Sequence, residues 1–190
     1  MSNIPDFDHN NVIPPYIGSP TRINCSSPYK CNILEMCQRF ANTTTRVELL
    51  ESLIMFRLKI SQLMIPIGFQ WIDGSFVEDI ETLENRDPND IDVVSFIGYD
   101  KHTNVKDLKT QISQNFPEFL DSQLSKRSFS IDHYVVELNT HPLNLVDNVK
   151  YWIQLFTHNR NQVWKGIIQI DLNTDSLDQQ ALVFLQNRRL

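Results

Sequence analysis

The run Gln70-Trp71-Ile72-Asp73-Gly74-Ser75-Phe76, followed by Asn89-Asp90-Ile91-Asp92-Val93-Val94, most constrains what this chain can fold into. An apolar stretch ends in a Gly-Ser turn, and a second apolar stretch opens with two aspartates one residue apart. Side chains alternate along a β-strand, so Asp90 and Asp92 point to one side while Ile91 and Val93 point to the other. Two carboxylates placed side by side repel each other unless a cation joins them. A pair of divalent ions holding a nucleotide's phosphates is the commonest reason to build such a site. Either motif alone is ordinary in a chain with 23 acidic residues; order, strand context and separation together make the pair specific.

At 190 residues the chain suits one well-buried domain and is short for two. Hydrophobic residues at 41% and charged residues at 21% are those of a soluble globular protein. No apolar run approaches the length of a membrane span. The polar, acidic start with Pro5 does not read as a signal peptide, so a cytoplasmic protein is expected. Cys25, Cys31 and Cys37 form no Cys-x-x-Cys pair, which reads as reduced thiols rather than a zinc site. A net charge of −6 argues against non-specific DNA binding, but not against a nucleotide held through a metal.

Residues 1–28, rich in Pro, Asn and Ser, read as an extended N-terminal arm, and 29–190 as a single domain. Ser27-Pro28 resembles a helix start, predicting a helix from Tyr29 to Phe40. Thr44 or Thr45 would cap a longer helix from Arg46 to Met64, with Leu49, Leu50, Leu53, Phe56, Ile60 and Leu63 on its core face. Strands are predicted at Phe69–Ile72, Asp90–Phe96, Phe129–Leu138 and Lys165–Leu172. Helices are predicted from Phe76 to Leu83, Val105 to Phe116, His141-Pro142 to Phe156 or His158, and Ser176 to Asn187. This alternation indicates an α/β (α+β) fold, a mixed sheet covered by helices.

The Gly-Ser and Asp-x-Asp pattern resembles the DNA polymerase β-type nucleotidyltransferase superfamily. The likeness extends to Phe7-Asp8, Ile13-Pro14-Pro15-Tyr16 and Ser27-Pro28-Tyr29. It continues through Gly68 to Glu78, Pro88 to Val94, and Tyr151-Trp152, Leu155-Phe156, Arg160 and Lys165-Gly166-Ile167. Over most of its length the chain is similar to a family of small uncharacterised bacterial nucleotidyltransferase-like proteins (DUF6932-like). The resemblance implies a polymerase β-like fold and a Mg²⁺ (or Mn²⁺) site, and it supplies no acceptor.

On that reading, Gly74 lets the backbone turn closely under a phosphate, and Ser75 adds a hydroxyl at the start of a following helix. Asp90 and Asp92 hold two Mg²⁺ ions roughly 3.5–4 Å apart. Asp132 is the candidate third carboxylate, metal ligand and proton acceptor, against the alternative of an exposed strand aspartate; Glu137 is the fallback. Asp73 reads as structural, capping the turn or orienting Ser75. His133 points away from the site, and His9, His102, His141 and His158 read as surface or helix-end residues. Arg160 and Lys165 fall in a turn that either returns to the nucleotide, to stabilise the leaving pyrophosphate, or is simply solvated. Trp152, Phe156 and Trp164 read as core aromatics.

The expected activity is Mg²⁺-dependent transfer of a nucleoside monophosphate from an NTP such as ATP to a hydroxyl on protein, RNA or a small molecule. Relatives with this minimal core often act in toxin–antitoxin pairs or phage defence. The alternative is a catalytically inactive binding or antitoxin-like module that keeps the fold.

Overall fold

In a computed structural model, residues 4–22, 25–63 and 65–188 are described. They form a five-stranded mixed sheet in the order β1-β5-β2-β3-β4. The strands are β1 (Tyr29–Cys31), β2 (Ile67–Asp73), β3 (Ile91–Gly98), β4 (Ile131–Glu137) and β5 (Ile168–Asp171). β2 runs antiparallel to both β3 and β5, while β4 is parallel to β3 and β1 parallel to β5. The helices are α1 (Ile33–Phe40), α2 (Thr44–Ser61), α3 (Ile80–Glu84), α4 (Val105–Asn115), α5 (Ser122–Phe129), α6 (Pro142–Phe156) and α7 (Asp175–Gln186).

Strand alternation divides the core. Ile72, Ile91, Val93, Ile97 and Ile131 join the larger cluster, with Leu50, Leu53, Phe56 and Ile60 of α2. Fully burying a side chain of this kind contributes about 1.5–3 kcal/mol. Trp71, Val94, Phe96 and Val136 face the other way and meet Trp152 and Phe156 of α6. The odd–even alternation of β3 therefore sends Asp92 to the α6 face, with Val94 and Phe96.

Several local expectations fail for identifiable reasons. Tyr29–Cys31 is a strand, not the start of a helix, because it pairs in register with Ile168–Ile170 at the sheet edge. The Ser27 hydroxyl accepts a hydrogen bond from Ile167 N at 2.6 Å instead of capping a helix. Asn32 caps α1, its side chain accepting from Glu35 N at 2.9 Å while Glu35 accepts from Asn32 N at 2.8 Å. Thr43, one residue earlier than expected, caps α2; α2 ends at Ser61, and its expected terminus Met64 lies outside the described residues. Phe129 belongs not to β4 but to α5, a helix capped by Asp121 that accepts from Gln123 N and Leu124 N. Trp164 is not a core aromatic; it is 62% exposed, against 6% for Trp152 and 4% for Phe156.

The N-terminal segment packs onto the domain. Val12 and Ile13 are fully buried, and Ile13 O accepts from Gly166 N at 2.7 Å. A Cβ on Gly166 would press into Pro14 O, so this crossing needs glycine.

A buried polar chain threads the larger core. Arg57 donates to Asp178 Oδ1 at 2.5 Å and to Gln70 Oε1 at 2.7 Å. Gln70 Nε2 donates to Ser95 Oγ at 3.0 Å, and Ser95 Oγ lies 2.8 Å from His133 Nε2. His133 Nδ1 donates to Phe119 O at 3.0 Å, so Nε2 is the acceptor of the Ser95 hydroxyl. Burial pulls the His133 pKa down to about 3, which keeps the imidazole neutral. His133 thus faces away from the aspartates, as strand alternation requires.

Candidate active site

Register builds the site. Asp73 at the end of β2 is the antiparallel partner of Asp92, and Asp92 is the parallel partner of Asp132 on β4. Three adjacent strands therefore carry an aspartate at the same level on the α6 face. Asp90 precedes Asp92 by two residues, just before β3 begins. All four line a cleft of about 540 Å³ with Gly74, Ser75, Glu78, Lys126, His158, Arg160 and Lys165. A larger depression of about 870 Å³ lies at the far end of the sheet, around Pro66 and Asp100, and none of its charged lining residues is buried.

The carboxylates are electrostatically loaded. Burial, then Asp90 and Asp132, push the Asp92 pKa up to about 6, against the pull of Lys165 and Lys126. Burial pushes Asp73 up to about 7 despite Lys165. Asp73 Oδ1 is buried and makes no hydrogen bond. Asp73 is thus a member of the acidic row, beyond the capping role read from sequence.

Gly74 has φ 83° and ψ −167°, a conformation that strains any L side chain. A Cβ there would collide with the Asp92 carboxylate. The close approach that glycine permits is therefore that of Asp92 to the turn. The segment after it is a three-residue 3₁₀ turn, Ser75–Val77, followed by Glu78 and Asp79. The continuous helix expected from Phe76 to Leu83 is absent, and with it the helix-end field expected to hold a phosphate at Ser75. Ser75 still lines the cleft.

Two buried cations clamp this loop. Arg46 of α2 donates to Phe76 O and Glu78 O, each at 2.6 Å, and makes a two-pronged pair with Glu81 at 2.6 and 2.8 Å. Lys165 Nζ lies 2.9 Å from Gly74 O, 2.7 Å from Glu78 Oε1 and 3.1 Å from Asp73 Oδ2. Burial alone would lower the Lys165 pKa, but Asp73 and Glu78 outweigh it and hold the ammonium charged. Lys165 is buried, not part of a solvated turn, and its three protons are all directed at protein acceptors. Arg160 is exposed at the rim of the same cleft.

Lys126, on the helix that sequence periodicity did not reveal, reaches the outer aspartates. Its Nζ is 2.5 Å from Asp90 Oδ2 and 3.8 Å from Asp132 Oδ2. The hydrogen bond to Asp90 raises the Lys126 pKa. Among the described residues, no three His, Cys, Asp or Glu side chains converge as a ready-made metal cage. A cation nevertheless fits here: an ammonium already sits between two of the carboxylates, and a third, Asp92, has its pKa raised by burial and by its acidic neighbours, a cost that added positive charge would offset.

The family known as DUF6932, a family of unknown function, matches residues 5–171. The chain belongs to the DUF6932 family. No curated protein and no solved structure matches it. The DUF6932 match takes in the aspartate row, the Gly74 turn, Lys126, Arg160 and Lys165. Glutamate 78, Glu81 and Arg46 complete the loop clamp in this DUF6932 chain, and their sequence signal was slight. Arg46 sits in the first turn of a helix, where polar residues are common, so its burial does not show in the sequence pattern. Glu137, the fallback carboxylate, lies on the other face of β4 and pairs with Lys109 at 2.7 Å.

Because Lys126 is 54% exposed, its ion pairs compete with water and with added cations. In a Mn²⁺ titration followed by electron paramagnetic resonance, Lys126→Met is expected to bind roughly five- to tenfold tighter than wild type, the value of about 1 kcal/mol for a partly exposed pair. Unchanged or weaker affinity would show that the lysine does not occupy the cation's place.

Proposed function

We propose that this chain is a divalent-cation-dependent nucleotidyltransferase acting on an NTP and an acceptor hydroxyl. The observation that carries the reading is the level row of Asp73, Asp92 and Asp132, with Asp90 beside it, at a glycine turn in an open cleft. Asp90, Asp92 and Asp132 would hold Mg²⁺ or Mn²⁺. When bound, the metal would neutralise the triphosphate and the charge developing on its oxygens.

The remaining work falls to the chain's own groups. Lys165 holds the Gly74 carbonyl, Glu78 and Asp73 in one arrangement, which keeps the Asp92 carboxylate against the turn. Asp132 lies on the open side of the row, where it accepts the proton of an incoming hydroxyl. Arg160 at the rim, and Lys126 once released from Asp90, are cations within reach of a leaving pyrophosphate.

The test is incubation with labelled NTPs and Mg²⁺, with protein, RNA and small-molecule fractions of a native lysate as acceptors. Label transfer is expected in one fraction, and none in any fraction would remove the activity. Asp132→Asn is expected to lower turnover by on the order of a hundredfold or more while NTP affinity stays close to wild type. Equal losses in both would place Asp132 in triphosphate binding instead.

A second reading has its own support in Lys126. A lysine bridging Asp90 and Asp132 is what a non-catalytic binding or antitoxin-like module would use in place of metal. Failure of Mn²⁺ at millimolar concentration to bind the wild-type chain would favour it.

A further inference from the structure

Resting on the nucleotidyltransferase reading, we infer that Asp73 is a metal ligand. With Asp92 it forms a divalent-cation position on the Gly74 side of the cleft, apart from the Asp90 and Asp132 side where Lys126 sits. Asp73 and Asp92 are direct partners in the antiparallel β2–β3 pair, so their carboxylates share one face, and both line the cleft. Like charges directly opposite each other on one face are destabilising. Asp73 is 3% exposed, and among the described residues its Oδ1 has no hydrogen-bond partner. The Lys165 ammonium pairs with the other oxygen, Oδ2, at 3.1 Å and gives its remaining protons to Glu78 and Gly74 O.

The charge balance selects the ligand. With every carboxylate ionised, as metal ligation requires, Asp73, Glu78 and Asp92 bring three negative charges to the Gly74 side, against the one positive charge of Lys165. The excess matches one divalent cation. A neutral donor such as a hydroxyl would satisfy Oδ1 and leave that excess in place. Asp73, Glu78 and Lys165 are all buried, so water screens the excess little. On the other side, the Asp90 and Asp132 side chains are 18% and 24% exposed, and Lys126 already lies against both. The Gly74 side is therefore the one left short of positive charge. Two carboxylates suffice for a Mg²⁺-type ion, which keeps several waters and takes further oxygens from substrate phosphates. Asp92 lies against the Gly74 turn, so a phosphate passing over that turn would meet the same ion.

The experiment is a Mn²⁺ titration of the full chain without nucleotide, followed by electron paramagnetic resonance, on wild type, Asp73→Asn and Asp132→Asn. Asp73→Asn is expected to weaken Mn²⁺ binding by at least the roughly tenfold that losing even an outer-shell partner costs. Asp73→Cys replaces an oxygen ligand with a thiolate, which favours soft metals. It is expected to bind Cd²⁺ about tenfold or more tighter than wild type, with the ultraviolet absorption of a cadmium–thiolate bond. A purely structural aspartate would produce no such switch in metal preference. A folded Asp73→Asn that keeps wild-type Mn²⁺ affinity overturns the proposal, and if Asp132→Asn loses affinity in the same titration the wider reading stands. Asp73→Cys without a gain in Cd²⁺ affinity overturns it too, even where Asp73→Asn does not fold. Failure of the wild type to bind Mn²⁺ at millimolar concentration removes the nucleotidyltransferase reading, and this position with it.

Discussion

Asp92→Asn is expected to abolish Mg²⁺-dependent nucleotide binding and, in the metal-free protein, to raise stability at pH 7 by about 3 kcal/mol. The two effects share a cause. The Asp92 pKa stands at about 6 in the folded chain, pushed up by burial and by Asp90 and Asp132. In the unfolded chain it reverts to an ordinary value near 4. Between those values the folded state binds more protons than the unfolded state, so stability falls as pH rises through the window. Above about pH 6 the full cost of the ionised carboxylate is present. The amide removes both the charge and the cost.

Melting curves in chelator from pH 4 to 8 should therefore slope downward for wild type and less so for the variant. Added Mg²⁺ should raise the wild-type melting temperature and leave the variant's unchanged. Calorimetry that found wild-type Mg²⁺–NTP affinity in Asp92→Asn would sink the metal assignment. A variant less stable than wild type would show that the carboxylate's neighbours are not as unfavourable as their placement implies.

Lys165→Met is expected to destabilise the domain by about 3–5 kcal/mol, the usual cost of stranding buried charge. Its ammonium is 2% exposed and is the cation shared by Asp73 and Glu78, themselves 4% and 7% exposed. Removing it leaves two buried carboxylates and the Gly74 carbonyl without their donor. The double variant Lys165→Met/Glu78→Gln should recover part of the loss, because one stranded charge goes with the lysine. Chemical denaturation measures both. A loss below about 1 kcal/mol for the single variant, the range of a surface pair, would mean that the loop does not depend on the lysine.

The strands that carry the aspartates were legible because alternation is a local rule: Asp90 and Asp92 share a face wherever the run Ile91–Phe96 is extended. That Asp73 stands level with them was not legible. It depends on the β2–β3 register, which follows from the whole hairpin and not from any one segment. The β1 strand was hidden behind Ser27-Pro28, whose helix-start chemistry is overridden by pairing with β5, some 140 residues away. The signal that marked the true start of α1, Asn32 with Glu35 three residues on, was present in the chain. Helix α5 gave no periodic stripe, since Ser122 to Arg127 is polar almost throughout. Lys126 is close to Asp132 in sequence, but that it is also a neighbour in space follows only from the packing of α5 beside β4. Trp164 misled for the opposite reason: a large aromatic beside Val163 reads as core, yet it stands exposed in a bridge to His158, edge-on to that ring at 5.0 Å.

The polar chain from Arg57 through Gln70 and Ser95 to His133 lies on the reverse side of the strands that bear the aspartates. Each of its links joins a different pair of neighbouring elements, and each donor has one acceptor of the right kind. Sliding β3 or β4 by a single residue would set an aliphatic side chain opposite an amide or imidazole and turn an aspartate inward. The chain therefore works as a vernier: it admits one alignment of three strands, and that alignment is the one in which Asp73, Asp92 and Asp132 stand abreast.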